Sequence, residues 1–144
     1  MPSERHRQRL IAGRCWEIYD LITRAFTTQP AFTSEFSELA ELALITDALS
    51  VRIEIEPDCL LQIVEEYGLR EHELIVETYS YLLLNQALDV IIRADASPHH
   101  QLDYRKRRLQ HFPHHLHDEK GRIRSFTGRI EDFVAEVATR LALG

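Results

Sequence analysis

Cysteine is scarce in this sequence of 144 residues, and long apolar runs are lacking. The two cysteines, Cys15 and Cys59, lie far apart and form no C-x-x-C pair, which argues against a disulfide framework and against a thiolate metal site. No stretch reaches the roughly 18 uninterrupted apolar residues that a membrane-spanning helix needs, and the N-terminus leads into no apolar signal-peptide core. We therefore expect free thiols and a cytoplasmic protein without a membrane partner.

Glycine and proline are also few, at five residues each, which excludes collagen-like composition. The remaining composition is ordinary for a folded protein, because 44% of the residues are apolar and 28% are charged. The sequence contains no internal repeat, low-complexity segment or linker. A chain of 144 residues then predicts one domain, residues 1–144, which is large enough to bury an apolar core.

Acidic and basic residues are unevenly distributed behind the net charge of −6. Residues 35–95 contain fourteen acidic and three basic side chains, whereas residues 96–144 contain six and nine. A basic segment on an acidic protein can bind phosphate groups if its charges form a continuous patch. A solvated loop is the alternative, and both interpretations stay open. The segment in question, called the basic run below, consists of Arg105, Lys106, Arg107 and Arg108.

Apolar residues recur with a helical period in three segments, which predicts three amphipathic helices. The first helix is expected over about residues 4–26. The second is expected to begin with Ser34 as its cap and to stop near Ala48. The third follows Thr127, a second candidate cap, and its apolar residues 130–141 fall on one face.

The apolar period changes to two after the second helix, which indicates strands. Residues 51–56 and 59–67 form a predicted hairpin that ends at Gly68. Residues 74–84 are rich in β-branched and aromatic side chains and pair with residues 88–95 in a second predicted hairpin.

These elements predict an α+β fold, in which an antiparallel sheet of four or five strands carries two N-terminal helices and one C-terminal helix. The fifth strand would be residues 122–125. In strand 88–95, the alternation of side chains places Arg93 and Asp95 together on the face opposite to the buried one.

Histidine is strongly clustered, since six of the eight histidines lie within residues 99–117. Packing seldom requires such clustering, whereas several kinds of chemistry use it. Imidazoles bind metal ions, exchange protons near neutral pH and, when protonated, contact phosphate groups. The clustered histidines are His99, His100, His111, His114, His115 and His117.

Two chemical interpretations follow from this cluster. In RNA cleavage without a metal, one histidine takes the proton of a 2′-hydroxyl, another protonates the leaving oxygen, and an arginine or lysine holds the phosphate. In a metal site, at least three donors converge on a divalent ion such as zinc. The donors that could converge are His114, His117 and one of His99 and His100, with Asp95 or Asp118 as the carboxylate.

A third interpretation requires no reaction. Pro98 and Pro113 each precede two histidines, so both segments can be turns whose imidazoles bond to the backbone and build a rigid contact surface. The protein would then be a non-catalytic interaction module. The residues alone do not decide among RNA cleavage, metal binding and this module.

Two motifs in the same region resemble those of a known family. Residues 93–100 read R-A-D-A-S-P-H-H, and residues 112–117 read F-P-H-H-L-H. They are similar to the paired motifs R-x-D-N-A-P-H-H and F-P-H-H-K-H of the TumE family of toxins. The resemblance implies a toxin of a toxin–antitoxin pair that acts on RNA or translation and whose partner protein is a small helix-turn-helix antitoxin.

The resemblance extends from about residue 37 to the C-terminus. It implies a family-like core over residues 35–144, with residues 1–34 as a helical addition. Among the positions that differ from the family motifs, two lose a polar group of interest, because Ala96 replaces an asparagine and Leu116 replaces a lysine. We expect these departures to remove an amide and a phosphate-binding charge from the site.

The leading hypothesis is therefore a toxin-like protein that binds and cleaves RNA, and a homo-oligomer is compatible with it. A non-catalytic or metal-binding module is the alternative. We expect the proline-terminated segments to bring the histidines to one surface, outside the helices and strands. The candidate catalytic residues are His99, His100, His114, His115, His117 and Asp95. The candidate substrate-binding residues are Arg93, Arg105, Lys106, Arg107 and Arg108.

Overall fold

Residues with a helical apolar period form three helices in the computed structural model, which describes residues 3–143. Helix α1 spans Glu4–Ala25, α2 spans Phe32–Thr46 and α3 spans Ile130–Leu143. The predicted number of helices is confirmed. No helix within the described range is both long enough and apolar enough to cross a membrane.

The predicted start of α2 is wrong, whereas its end at Thr46 agrees with the expected stop near residue 48. Ser34 lies in the first helical turn, where its Oγ donates to the carbonyl of Ala31 at 3.0 Å and caps nothing. Phe32 begins the helix and buries its ring in the core. The helix ends before residue 48 because Asp47 adopts a left-handed conformation, with φ of 58°, and the next residue already belongs to a strand.

Six strands form one antiparallel sheet in sequence order, so the α+β class is confirmed. The prediction of four or five strands is wrong, because residues 115–117 form an additional strand of three residues. Three residues are too few for an apolar period to be visible in a sequence. The strands are β1 (Ala48–Glu56), β2 (Cys59–Arg70), β3 (Glu73–Asn85), β4 (Val90–Asp95), β5 (His115–His117) and β6 (Ile123–Ser125).

Both predicted hairpins are present, with two shifted boundaries. Gly68 does not end β2, which continues past it, and a Cβ at this position would collide with the side chain of Glu77. Strand β4 begins at Val90 rather than at residue 88. Leu88 has φ of 67°, and its N–H donates to the carbonyl of Asn85 at 3.0 Å, so it belongs to the turn.

The helices pack on one face of the sheet, and the apolar core lies between the two layers. A row of paired core residues crosses five strands, and every member is at most 3% exposed: Val51, Ile63, Tyr81, Ala94 and Leu116. Side chains alternate along each strand. The neighbours of this row in β4 and β5 therefore point to the opposite face of the sheet, on which none of the three described helices packs.

A buried ion pair ties α1 to the sheet. The carboxylate of Glu65 in β2 is fully buried and accepts two hydrogen bonds from Arg14 in α1, from Nε at 2.9 Å and from Nη2 at 2.7 Å. The hydroxyls of Tyr67 and Tyr81 also donate to this carboxylate. The N-terminal helix is thus joined to the sheet by charge as well as by apolar packing.

Candidate functional site

The pairing of β4 with β5 builds the first part of the site. In this register Asp95 lies opposite His115, and Arg93 lies opposite His117. Ala94 and Leu116, which lie between them, face the core, so the other four side chains point to the face without helices. The strand alternation predicted for Arg93 and Asp95 agrees with this placement.

The segment between β4 and β5 brings a third imidazole to this face. His100 lies over the strand pair, with its ring centroid 5.2 Å from that of His115 and 5.3 Å from that of His117. The centroids of His115 and His117 are 5.0 Å apart. One nitrogen of each of the three rings lies within 4.8 Å of the other two. We refer to His100, His115 and His117 as the trihistidine cluster.

His115 is the buried member of the cluster, with 1% of its surface exposed. Its Nδ1 lies 3.1 Å from the carbonyl oxygen of Pro113, and its Nε2 lies 3.3 Å from Oδ1 of Asp95. A carbonyl can only accept, so Nδ1 carries a proton and donates. The opposite nitrogen then faces a carboxylate oxygen, which is also an acceptor.

His117 is the partly exposed member next to Arg93. Nη2 of Arg93 donates to Nε2 of His117 at 3.0 Å, and Nε of Arg93 lies 3.4 Å from Oδ2 of Asp95. Burial, and then the positive charge of Arg93, lower the pKa of His117 to about 4. His117 is therefore neutral at pH 7. Because Nε2 accepts from Arg93, its proton is carried by Nδ1.

His114 does not belong to the trihistidine cluster, contrary to the prediction. It stacks on Tyr79, whose hydroxyl lies 2.8 Å from Nδ1 of His114, on the side of the sheet that the helices cover. Gly128 leaves room for the ring, since a Cβ there would lie 2.6 Å from Cε1 of His114. Burial lowers the pKa of His114, with a smaller contribution from His111. His114 thus lies on the opposite side of the sheet from the trihistidine cluster.

The other predicted residues near the site have different positions. His99 is exposed and lines a depression next to His100. Asp118, a predicted carboxylate ligand, instead holds the turn before β6 by accepting from the backbone and from Nε of Arg122. The expectation that the histidines lie outside regular structure is wrong for His115 and His117, which form the ends of β5.

The basic run forms a tight turn. Oδ1 of Asp103 accepts the backbone N–H groups of Arg105 and Arg107 at 2.8 and 3.0 Å, and Lys106 takes φ of 65° at the tip. All four cationic side chains are exposed. Within residues 3–143, none of the four has a carboxylate within 4.0 Å. Their charge is therefore available to an external anion.

A depression of about 630 Å³ connects part of the basic run to the cluster. Lys106 and His100 both line it, as do Tyr104 and Arg122. The guanidinium of Arg122 lies 4.7 Å from the ring centre of Tyr104, and that of Arg105 lies 5.3 Å from it. Sequence reasoning missed Tyr104 and Arg122, because no local pattern indicates that they approach the histidines. Arg105, Arg107 and Arg108 do not line this depression.

The positions of Leu116 and Ala96 in the structure change the expected effect of these two departures from the family motifs. Leu116 is 3% exposed and faces the core, so its identity removes no charge from the face that carries the cluster. Ala96 is half-buried and packs against the core just after β4. The expectation that Leu116 takes a phosphate-binding group away from the site is therefore wrong.

Comparison with known proteins adds no relative. No family model, no curated protein and no solved structure matches this chain. The resemblance to the TumE family therefore stays a prediction from the sequence.

Proposed function

We propose that this protein is a toxin-like RNA-binding protein that cleaves RNA at the trihistidine cluster. One observation carries the proposal, namely the convergence of His100, His115 and His117 with Arg93 on a sheet face beside unpaired basic charge. Proton acceptors, proton donors and phosphate-binding groups are the parts that metal-free phosphodiester cleavage needs.

The neutral His117 and the neighbouring His100 are suited to opposite roles in proton transfer. His117 accepts the proton of a ribose 2′-hydroxyl, and the 2′-oxygen then bonds to phosphorus. The bond from phosphorus to the 5′-oxygen breaks, and a proton supplied through His100 goes to that leaving oxygen. The products are a 2′,3′-cyclic phosphate and a 5′-hydroxyl. His115 positions the pair from below, held by Pro113 and Asp95.

Arg93 is the residue that links substrate binding to this chemistry. Its side chain is 44% exposed, and it occupies Nε2 of His117, the only nitrogen on that ring with a free electron pair. Rotation of Arg93 towards an incoming phosphate frees this nitrogen to act as a base. The basic run supplies long-range attraction for RNA, against the negative charge of the rest of the protein.

The proposal includes a biological setting. A toxin acting on RNA works in the cytoplasm, and a helix-turn-helix antitoxin is the partner that the family motifs imply. Covering the exposed part of the cluster would be sufficient for neutralisation, because His100 and His117 are the accessible members.

The test measures cleavage of a fluorescent single-stranded RNA at low salt, together with growth after induction of the gene. We expect His100→Ala and His117→Ala to lower the cleavage rate by about 10²–10⁴-fold and to relieve growth inhibition. His6→Ala is the matched control, since His6 lies in α1, on the helix-covered side of the sheet, and contacts His72. A 2′-deoxy substrate should remain intact. Wild-type protein that binds RNA without cutting it would favour the interaction module instead.

A further inference from the structure

With its proton on Nδ1, the buried imidazole of His115 has no hydrogen to donate to the carboxylate of Asp95 that it faces. Its Nδ1–H is fixed by the carbonyl of Pro113, and its Nε2 points at a carboxylate oxygen of Asp95 only 3.3 Å away. Both atoms are electron-pair donors, so this contact becomes favourable when a cation lies between them. Either a second proton or a metal ion can be this cation.

We propose that, when no RNA is bound, the trihistidine cluster binds one divalent transition metal ion of the zinc class, with His100, His115 and His117 as ligands. Three imidazoles that leave a further coordination position open are a donor set that zinc, nickel and copper accept. The nitrogens already lie within 4.8 Å of one another. Convergence on an ion requires shifts of the side chains but no change in the strand pairing.

The surroundings of His115 match those of a metal-binding histidine. Such a residue almost always donates its second ring N–H to a backbone carbonyl or a carboxylate, which fixes the tautomer and the ring orientation. The carbonyl of Pro113 accepts this hydrogen bond from Nδ1 of His115, which leaves Nε2 as the atom that can bind the metal. Asp95 is placed either to complete the coordination or to balance the charge of the ion, and its Oδ1 is itself oriented by the N–H of Ser97 at 2.9 Å.

Arg93 competes with the metal for His117. Nη2 of Arg93 donates a hydrogen bond to Nε2 of His117, so the electron pair of that nitrogen is not free to bind a metal ion. The positive charge of Arg93 also repels a cation in the cluster. Because Arg93 is partly exposed, it can leave without breaking the β4–β5 pairing, which uses backbone groups. This geometry gives the proposal a distinctive signature: removal of Arg93 strengthens metal binding, whereas removal of a ligand weakens it.

The experiment uses the full chain without a histidine tag, freed of metal by dialysis against a chelator. Zn²⁺ is titrated into the protein in competition with a chromophoric chelator, and Ni²⁺ is tested in parallel. We expect one Zn²⁺ per chain. Zinc at about 100 times its Kd should raise the Tm by about 5–10 °C. His100→Ala and His117→Ala should each weaken binding by about 100-fold or more, since loss of an outer partner alone costs about 10–100-fold. His6→Ala should leave binding unchanged.

The variant Arg93→Gln completes the test, because it alters no ligand and lies in an exposed position. We expect it to tighten zinc binding by about tenfold, because a positive charge beside the ion is removed. Absence of zinc binding by wild-type protein, or zinc binding that survives the combined His100→Ala and His117→Ala changes, overturns the proposal. The assay contains no RNA, so a failure of RNA cleavage leaves its result intact. Conversely, RNA cleavage that needs the histidines in a protein that binds no zinc would show that a proton, not a metal, occupies the cluster.

Discussion

Loss of Arg14 should be among the most destabilising single changes in the protein. Arg14→Met keeps part of the apolar side chain but removes both hydrogen bonds to Glu65, which is fully buried. Removing one partner of a buried ion pair typically costs about 3–5 kcal/mol, because the remaining charge is left uncompensated. Tyr67 and Tyr81 continue to donate to the carboxylate, so we expect the lower end of that range, about 3 kcal/mol.

Urea denaturation followed by circular dichroism measures this loss. With an m-value of about 2 kcal/mol/M, the unfolding midpoint should fall by about 1.5 M urea at unchanged m. Arg24→Met is the matched control on the same helix. Arg24 lies 3.8 Å from Asp20, and both side chains are exposed, so the control should cost less than about 0.5 kcal/mol. Equal losses in the two variants would refute the view that the buried carboxylate depends on Arg14.

Three further predictions concern the site. Leu116→Lys restores the residue of the family motif and should lower the free energy of unfolding by about 3 kcal/mol, because it places an ammonium group in the core. Thermal unfolding measures this loss, and an unchanged Tm would contradict the buried position of this side chain. Tyr79→Phe should cost about 1 kcal/mol because the hydrogen bond to His114 is removed, and RNA cleavage should persist, so abolished cleavage in a folded variant would place His114 in the reaction. Replacement of the basic run by glutamine should weaken RNA binding and reduce the slope of log K against log salt by about 0.7 for each phosphate that the protein no longer neutralises, as measured by fluorescence anisotropy across a salt series.

The helices and the two long hairpins could be predicted from the sequence because their signals are local. Strands β1 to β3 have nine or more residues each, so the period-two pattern repeats several times. Strand β5 has only three residues, two of which are histidines, so it is too short and too polar to show an apolar period. Its existence depends on pairing with β4, a strand that lies far from it in the chain.

The same non-local pairing explains which part of the site escaped prediction. The clustering of histidines along the chain indicated the right region, but not which imidazoles meet. His115 and His117 share a face because both lie in β5, whereas His114 precedes the strand and packs behind it. The spacing H-L-H was the one available signal, since alternate residues of a strand point the same way. The expectation that these histidines lie outside the helices and strands removed that signal.

Strand β5 also explains how the site tolerates an apolar residue between its histidines. Leu116 anchors the strand in the core, and this anchoring fixes the directions of His115 and His117 on the other face. Arg93 is fixed in the same way through Ala94, its buried neighbour. Each polar group that β4 and β5 contribute to the site is thus oriented by an apolar residue one position away. Arg93 bonds to Nε2 of His117, the nitrogen that would act as the base in RNA cleavage and as a ligand in metal binding. Removal of Arg93 should therefore weaken RNA cleavage, because the phosphate loses a partner, and strengthen metal binding.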